Sequence, residues 1–218
     1  MNNNAKSRHF LVVKAAPYAW PFDGAWSSSD TALLLLGFQK QAVALFDAEE
    51  AVLRAAEVLG HCRQANLPII FSRHGFDSQA SAIAQRRNRL AGDIPMRGSE
   101  AWQLVLSASD KDGDTIVDHC GDNAFYLTGL ADKLRSRNIR NLLVAGIPTD
   151  GILHATMRSA NDCGFECLAI SDACRGTTAA RHEAQLTITT FGNGLFGTVA
   201  PAERVIAALS ANDKGLLP

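Results

Sequence analysis

The sequence predicts a single three-layer αβα domain: a mostly parallel six-stranded sheet with helices on both faces. Two observations carry that expectation. Short apolar runs recur at residues 31–36 (TALLLL), 68–73 (PIIFSR), 142–145 (LLVA) and 167–170 (CLAI), each bounded by turn residues in the manner of buried parallel strands. Stretches with apolar residues at helical spacing lie between them, so strand and helix alternate as in crossover units. At 218 residues the chain is long enough for one sizeable core.

Residues 1–16 are expected to form a loosely held arm, and residues 17–218 the domain. PYAWPFDGAW at 17–26 has Pro17 and Pro21 to set its backbone and Trp20, Phe22 and Trp26 to supply buried area. It reads as an aromatic strap closing the edge of the core rather than as a ligand cage. The first strand, 31–36, ends in Gly37-Phe38-Gln39, and a helix over about residues 42–64 follows, with an apolar stripe through Val43, Phe46, Val52, Ala56 and Leu59. The second strand, 68–73, runs into His74. Two readings of His74 stay open: an edge histidine bonded to a backbone carbonyl, or a pocket residue. Arg86, Arg87 and Arg89 fall in a helical segment and read as a solvated face rather than an anion site. The third strand is TIVDHC at 115–120.

The most informative stretch follows. An apolar strand at 142–145 is broken by Gly146-Ile147-Pro148, and Thr149 and Asp150 offer side-chain oxygens to cap a helix. That helix runs to about Asp162 and stops near Gly164, and a fifth strand covers 167–170. Ligands of such folds sit outside the carboxyl ends of the strands, where helix amino termini offer free N–H groups. Chemistry is therefore expected around residues 147–152. Asp150, His154 and Arg158 share one helical stripe and read as a packed or solvated ridge. A helix at 179–190, a glycine turn too isolated to be a nucleotide loop, a sixth strand at 198–199 and a closing helix at 202–209 complete the chain.

Composition narrows the function. Lys and Arg number 21 against 22 Asp and Glu, a formal net charge of −1, so neither a nucleic-acid nor an anionic-membrane partner is expected. Five cysteines, an odd count without framework spacing, suit a reducing, cytoplasmic setting. The amino terminus carries no cleavage signal and no run reaches membrane-spanning length.

The pattern Gly146-Ile147-x-Thr149-Asp150, His154-x-Thr156-Met157-Arg158, Ala160-Asn161-Asp162-x-Gly164-Phe165-Glu166-Cys167-Leu168 resembles the isochorismatase-like cysteine hydrolases. It is closest to the branch acting on ureidoacrylate, biuret and related small amides. The aromatic lead-in at 17–24 and NAFYLTGL at 123–130 extend the likeness, which covers roughly residues 17–210. The resemblance implies an isochorismatase-like, Rossmann-like fold and an oligomer. It also implies a three-residue machinery. The family's nucleophilic cysteine falls at Ile152, its acid/base aspartate at Gly37 and its lysine at His119, while Gln39 is retained. Isochorismatases proper lack the cysteine but keep the aspartate and lysine.

No catalytic residue is therefore expected at Gly37, His119 or Ile152. The expected pocket comprises Gln39, His74, His119, Phe125, Pro148 and Ile152, without a cofactor. Relatives place a cis peptide in the turn, and an Ile147–Pro148 bond lowers its cost to roughly 0.5–1 kcal/mol. Two readings of function follow. The first is a pseudoenzyme that acts by binding a small ligand or an active relative, with a homo-oligomer expected. The second is a hydrolase of altered chemistry using His119 and His74 on a small amide or ureido compound, with or without a metal. His74, His119 and Asp172 all stand at strand ends, but their spacing is not diagnostic and no metal site is expected. Among the cysteines, only Cys174 is placed to reach the cleft mouth, and Cys120, Cys163 and Cys174 all read as buried or inert thiols.

Overall fold

In a computed structural model, residues 7–77, 81–92, 94–108 and 113–211 are described. Residues 1–6 of the expected arm and 212–218 of the expected domain lie outside them. A two-residue ribbon, β1 (His9–Phe10) with β2 (Trp26–Ser27), precedes the core strands β3 (Thr31–Leu36), β4 (Ile69–His74), β5 (Thr115–His119), β6 (Asn141–Gly146), β7 (Glu166–Ile170) and β8 (Thr198–Ala200). The helices are α1 (Lys40–Leu45), α2 (Glu49–Gln64), α3 (Ala82–Ala91), α4 (Leu130–Ser136), α5 (His154–Asp162), α6 (Ala179–Thr189), the single distorted turn α7 (Phe191–Gly194) and α8 (Ala202–Ser210).

The sheet order is β5-β4-β3-β6-β7-β8, and every neighbouring pair is parallel. Every residue of β3 and β6 is buried. Because successive side chains on a strand point to opposite faces, this burial requires cover on both faces of the sheet centre. That explains why these two segments read as unbroken apolar runs. The edge strand β5 alternates exposed and buried positions instead. The chain leaves β3 in one direction to build β4 and β5, then returns to β3's other side to build β6, β7 and β8. The carboxyl ends of β3 and β6 thus flank the point where strand order reverses, which is where a crevice forms in open parallel sheets.

Two expectations are corrected. The described part of the amino-terminal arm is held rather than loose. Phe10 pairs with Trp26, Val13 is fully buried and bridges Trp20, and Ala16 exchanges two backbone hydrogen bonds with Val199 on the edge strand β8 (3.0 and 2.9 Å). Unpaired edge groups of β8 thereby gain partners. Trp20 and Trp26 are buried at 5.2 Å between ring centroids, as a strap requires, but Phe22 is largely exposed. The expected helix over 42–64 is two helices, broken where Asp47 takes φ 49° and Arg175 Nε donates to the Phe46 carbonyl (2.9 Å). The apolar stripe runs across that break, so periodicity alone could not register it.

Candidate functional site

The turn after β6 is fixed by its neighbours on both sides. The Ile147 N–H donates to the Leu36 carbonyl (3.0 Å) and the Thr149 N–H to the Arg175 carbonyl (2.8 Å), with the Ile147–Pro148 bond cis. The Asp150 carboxylate accepts from the Thr177 N–H (2.8 Å) and hydroxyl (2.5 Å). Burial alone would raise the Asp150 carboxyl, but these donors hold it below the usual carboxylate range. Thr149 Oγ1 lies 2.8 Å from His182 Nδ1, and burial lowers the His182 ring. His154 instead meets Gln185, and Arg158 meets Asp162, so the stripe of three polar residues is a set of separate structural contacts.

Of the three positions singled out from the resemblance, Gly37 and Ile152 line this crevice and His119 lies behind it, stacked on His74. Gly37 ends β3 with φ +67°, its N–H donating to the Ser72 carbonyl (3.1 Å). A Cβ at residue 37 would stand 2.4 Å from the Ile147 carbonyl oxygen and 3.5 Å from Ile152 Cγ2. Backbone occupies the space where a side chain at residue 37 would begin. His119, at the end of β5, is 2% exposed. Its Nδ1 lies 2.7 Å from the Gly121 carbonyl oxygen, which can only accept, so Nδ1 carries the proton. Its Nε2 then accepts from the Ser72 hydroxyl (3.1 Å). Burial, reinforced by His74, pushes the His119 pKa down to about 4. At neutral pH His119 is an uncharged ring with both nitrogens occupied.

A cavity of about 170 Å³ opens before this turn. Of the six expected pocket residues, Gln39, His74, Pro148 and Ile152 line it. Gln39 is 2% exposed and serves as a frame: Nε2 donates to the His74 and Trp102 carbonyls (3.0 Å each), and Oε1 accepts the His74 N–H (2.8 Å). His74 satisfies both earlier readings at once. Its Nε2 lies 3.2 Å from the Cys120 carbonyl, and its ring lines the cavity. His119 stacks on His74 at 5.4 Å with 6° between planes but is not part of the lining.

Phe125 is not in the pocket. The Ala124 N–H is drawn to Thr156 Oγ1 on α5 (3.1 Å), and the Phe125 ring packs against Phe165 at 5.7 Å. The sequence reading missed Phe46, Arg87, Ile94, Pro95, Asp122 and Thr177, all of which line the cavity. Arg86, Arg87 and Arg89 are exposed, as the solvated-face reading expects, and the Arg87 guanidinium also makes a two-point pair with the Asp122 carboxylate, the second contact being 3.0 Å. Burial would raise Asp122, but Arg87 outweighs it and holds the carboxyl below its usual range. No local pattern marks Asp122, 35 residues from Arg87.

The thiols lie elsewhere. Cys174 is buried at 5% exposure and pushed up to about 12 by that burial, so it does not reach the mouth. Burial also raises Cys120, whose thiol donates to Asp77 (3.2 Å). Asp172 accepts the Ala202 N–H (2.7 Å), and among the described residues no group of three acidic, histidine or cysteine side chains converges as metal ligands would. Also among the described residues, no helix is long and apolar enough to cross a membrane.

Comparison with known proteins places this crevice in a lineage. The isochorismatase domain model matches residues 31–203. The ureidoacrylate amidohydrolase RutB of Klebsiella pneumoniae strain 342 is 27% identical over 223 residues, 94% of this chain and 91% of that protein. Among solved structures, a cysteine hydrolase from Pseudomonas syringae pv. phaseolicola superimposes with a TM-score of 0.75 at 21% identity, over 91% of this chain and 96% of that one. An isochorismatase family protein from Desulfovibrio vulgaris gives 0.73 at 20% identity, over 84% and 100%. At these identities the two structures speak for the fold alone. With 173 consecutive residues of 218 inside the domain match, the chain belongs to the isochorismatase family.

Proposed function

We propose that this chain is a catalytically silent member of its family that binds a small molecule in the cleft before Ile152. One observation carries the reading: the residue 37 position, where an acid/base would stand, is occupied by backbone, with the Ile147 carbonyl 2.4 Å from the site of any Cβ. An aspartate there would require the turn itself to move. The other two positions agree with this. Ile152 has no nucleophilic atom, and a neutral His119 supplies no cation to lower a thiol pKa or steady an oxyanion. Amide hydrolysis needs a nucleophile and a proton carrier within reach of the substrate, and neither stands at these positions.

The test is turnover. Purified protein incubated with ureidoacrylate, biuret and maleamate is expected to release no ammonia above a buffer control. Hydrolysis at the rate of a competent relative, with contaminating hydrolases excluded, overturns the reading. The placement of His74 on the cavity wall favours the second reading, a hydrolase using His74 and His119, with or without a metal. That reading requires His119 to release Ser72 or Gly121 before it can accept a proton. Turnover abolished by His119→Ala, or tight stoichiometric zinc, would support it.

A further inference from the structure

Two helix faces outside the cleft leave apolar side chains exposed, and they are opposite in charge. The first is on α3, which is ten residues long. Its ends are closed, Ser81 Oγ accepting the Ala84 N–H (3.2 Å) and Gly92 turning into the left-handed region, but of its described side chains only Ala84 is buried. A helix of that length is marginal in water unless an apolar face is packed. Yet Ile83 and Leu90, two turns apart on one face, are 68% and 77% exposed. Arg86 stands between them and Arg89 beside them, both exposed, and α3 contains no acidic residue. The same helix brings Arg87 to the cavity wall, so whatever covers Ile83 and Leu90 also braces that wall.

The counterpart is on α2. Its inner side chains Ala51, Ala55, Val58, Leu59 and Cys62 are buried, which holds the helix firmly against the core. On the outer side Glu50, Leu53 and Glu57 form one stripe, and Leu53 is 66% exposed. These three line a shallow hollow with Arg54, Ala56 and Asp172. Arg54 is engaged by Glu57 (2.9 Å) and faces Asp172 (4.0 Å), so three carboxylates share one cation there. The small Ala56 beside Leu53 leaves room for a large apolar side chain. Pairing α3 with α3 would set the arginines of one copy against those of the other, which like charge opposes. Setting α3 on the α2 hollow joins leucine to leucine and arginine to glutamate. From these two complementary faces, we propose that α3 of one copy of this chain docks through Ile83 and Leu90 on α2 of a second copy, with Arg86 and Arg89 meeting Glu50 and Glu57. The surface lies outside the cleft, and its use does not depend on whether the cleft is catalytically silent.

Sedimentation equilibrium on the full chain tests this, with circular dichroism confirming that each variant is folded. The unaltered chain is expected to associate reversibly. Arg86→Glu with Arg89→Glu is expected to weaken association at least tenfold, and so is Glu50→Lys with Glu57→Lys. An equimolar mixture of these two reversed chains is expected to recover it, because each then offers the charge that the other's faces require. A separate arm changes no charge: Leu53→Ser and Leu90→Ser are each expected to weaken association at least tenfold. A monomeric unaltered chain overturns the inference. So does a glutamate reversal without effect, which would leave α3 pairing with itself, a mixture that stays dissociated, or association unchanged by both serine variants.

Discussion

Replacing Gly37 by alanine tests the central geometric claim, because two costs can be separated. The first is conformational: at φ +67° an L residue enters the left-handed region, at a cost of about 1–2 kcal/mol. The second is steric: the new Cβ would lie 2.4 Å from the Ile147 carbonyl oxygen, and relieving such overpacking costs typically about 1–3 kcal/mol. Gly129 isolates the first, since it has φ +68° and nothing within 4 Å of an added Cβ. Urea unfolding followed by circular dichroism should therefore give a loss of about 3 kcal/mol for Gly37→Ala against about 1 for Gly129→Ala, at unchanged slope. Equal losses would mean that the turn yields freely to a side chain at residue 37. The claim that a side chain at residue 37 is structurally excluded would then fail. If the claim holds, Gly37→Asp is at least as destabilising as the alanine.

The buried His119 predicts a pH dependence. Its pKa falls from 6.5 to about 4 on folding, so between those values the unfolded chain binds more protons and stability drops as pH falls. The contribution is whole above pH 6.5 and fully lost below about pH 4, a difference of about 3 kcal/mol. His119→Gln should flatten that part of the stability profile, whereas parallel curves for variant and parent would refute the assignment. Gln39→Leu keeps volume but strips partners from the His74 N–H and the His74 and Trp102 carbonyls. It should cost about 2–3 kcal/mol in the same unfolding assay, and a loss below about 1 would show that water replaces the amide. Asp150→Ala removes both Thr177 contacts; hydrogen exchange at the Thr177 amide should quicken at least tenfold, and unchanged protection would place the clamp elsewhere.

Much of the scaffold was legible because the relevant physics is local. Residues buried on both sides must be apolar at consecutive positions, and so β3 and β6 announced themselves. The turn was legible because glycine and proline end a buried strand, and the Ile147–Pro148 bond is cis as expected, but the Thr149 and Asp150 side chains bond His182 and Thr177 instead of capping the helix. The misses share one cause. Asp122 carries no local signature, and only the fold brings it opposite Arg87. Phe125 has the composition of a pocket wall, yet the backbone bond from Ala124 to Thr156 turns it toward Phe165.

Sequence alone determined the order of strands and helices, the place of the crevice and the residues at positions 37, 119 and 152. Each of these is a matter of residue type and short-range periodicity. Tertiary structure decided whether residue 37 could carry a side chain, through the Ile147 carbonyl just past β6 lying where a Cβ just past β3 would begin. It also decided the charge of the cavity, through a pairing of two residues on separate elements. Neither is encoded in any single stretch of chain. Both depend on distances between segments that only the closed sheet brings within reach.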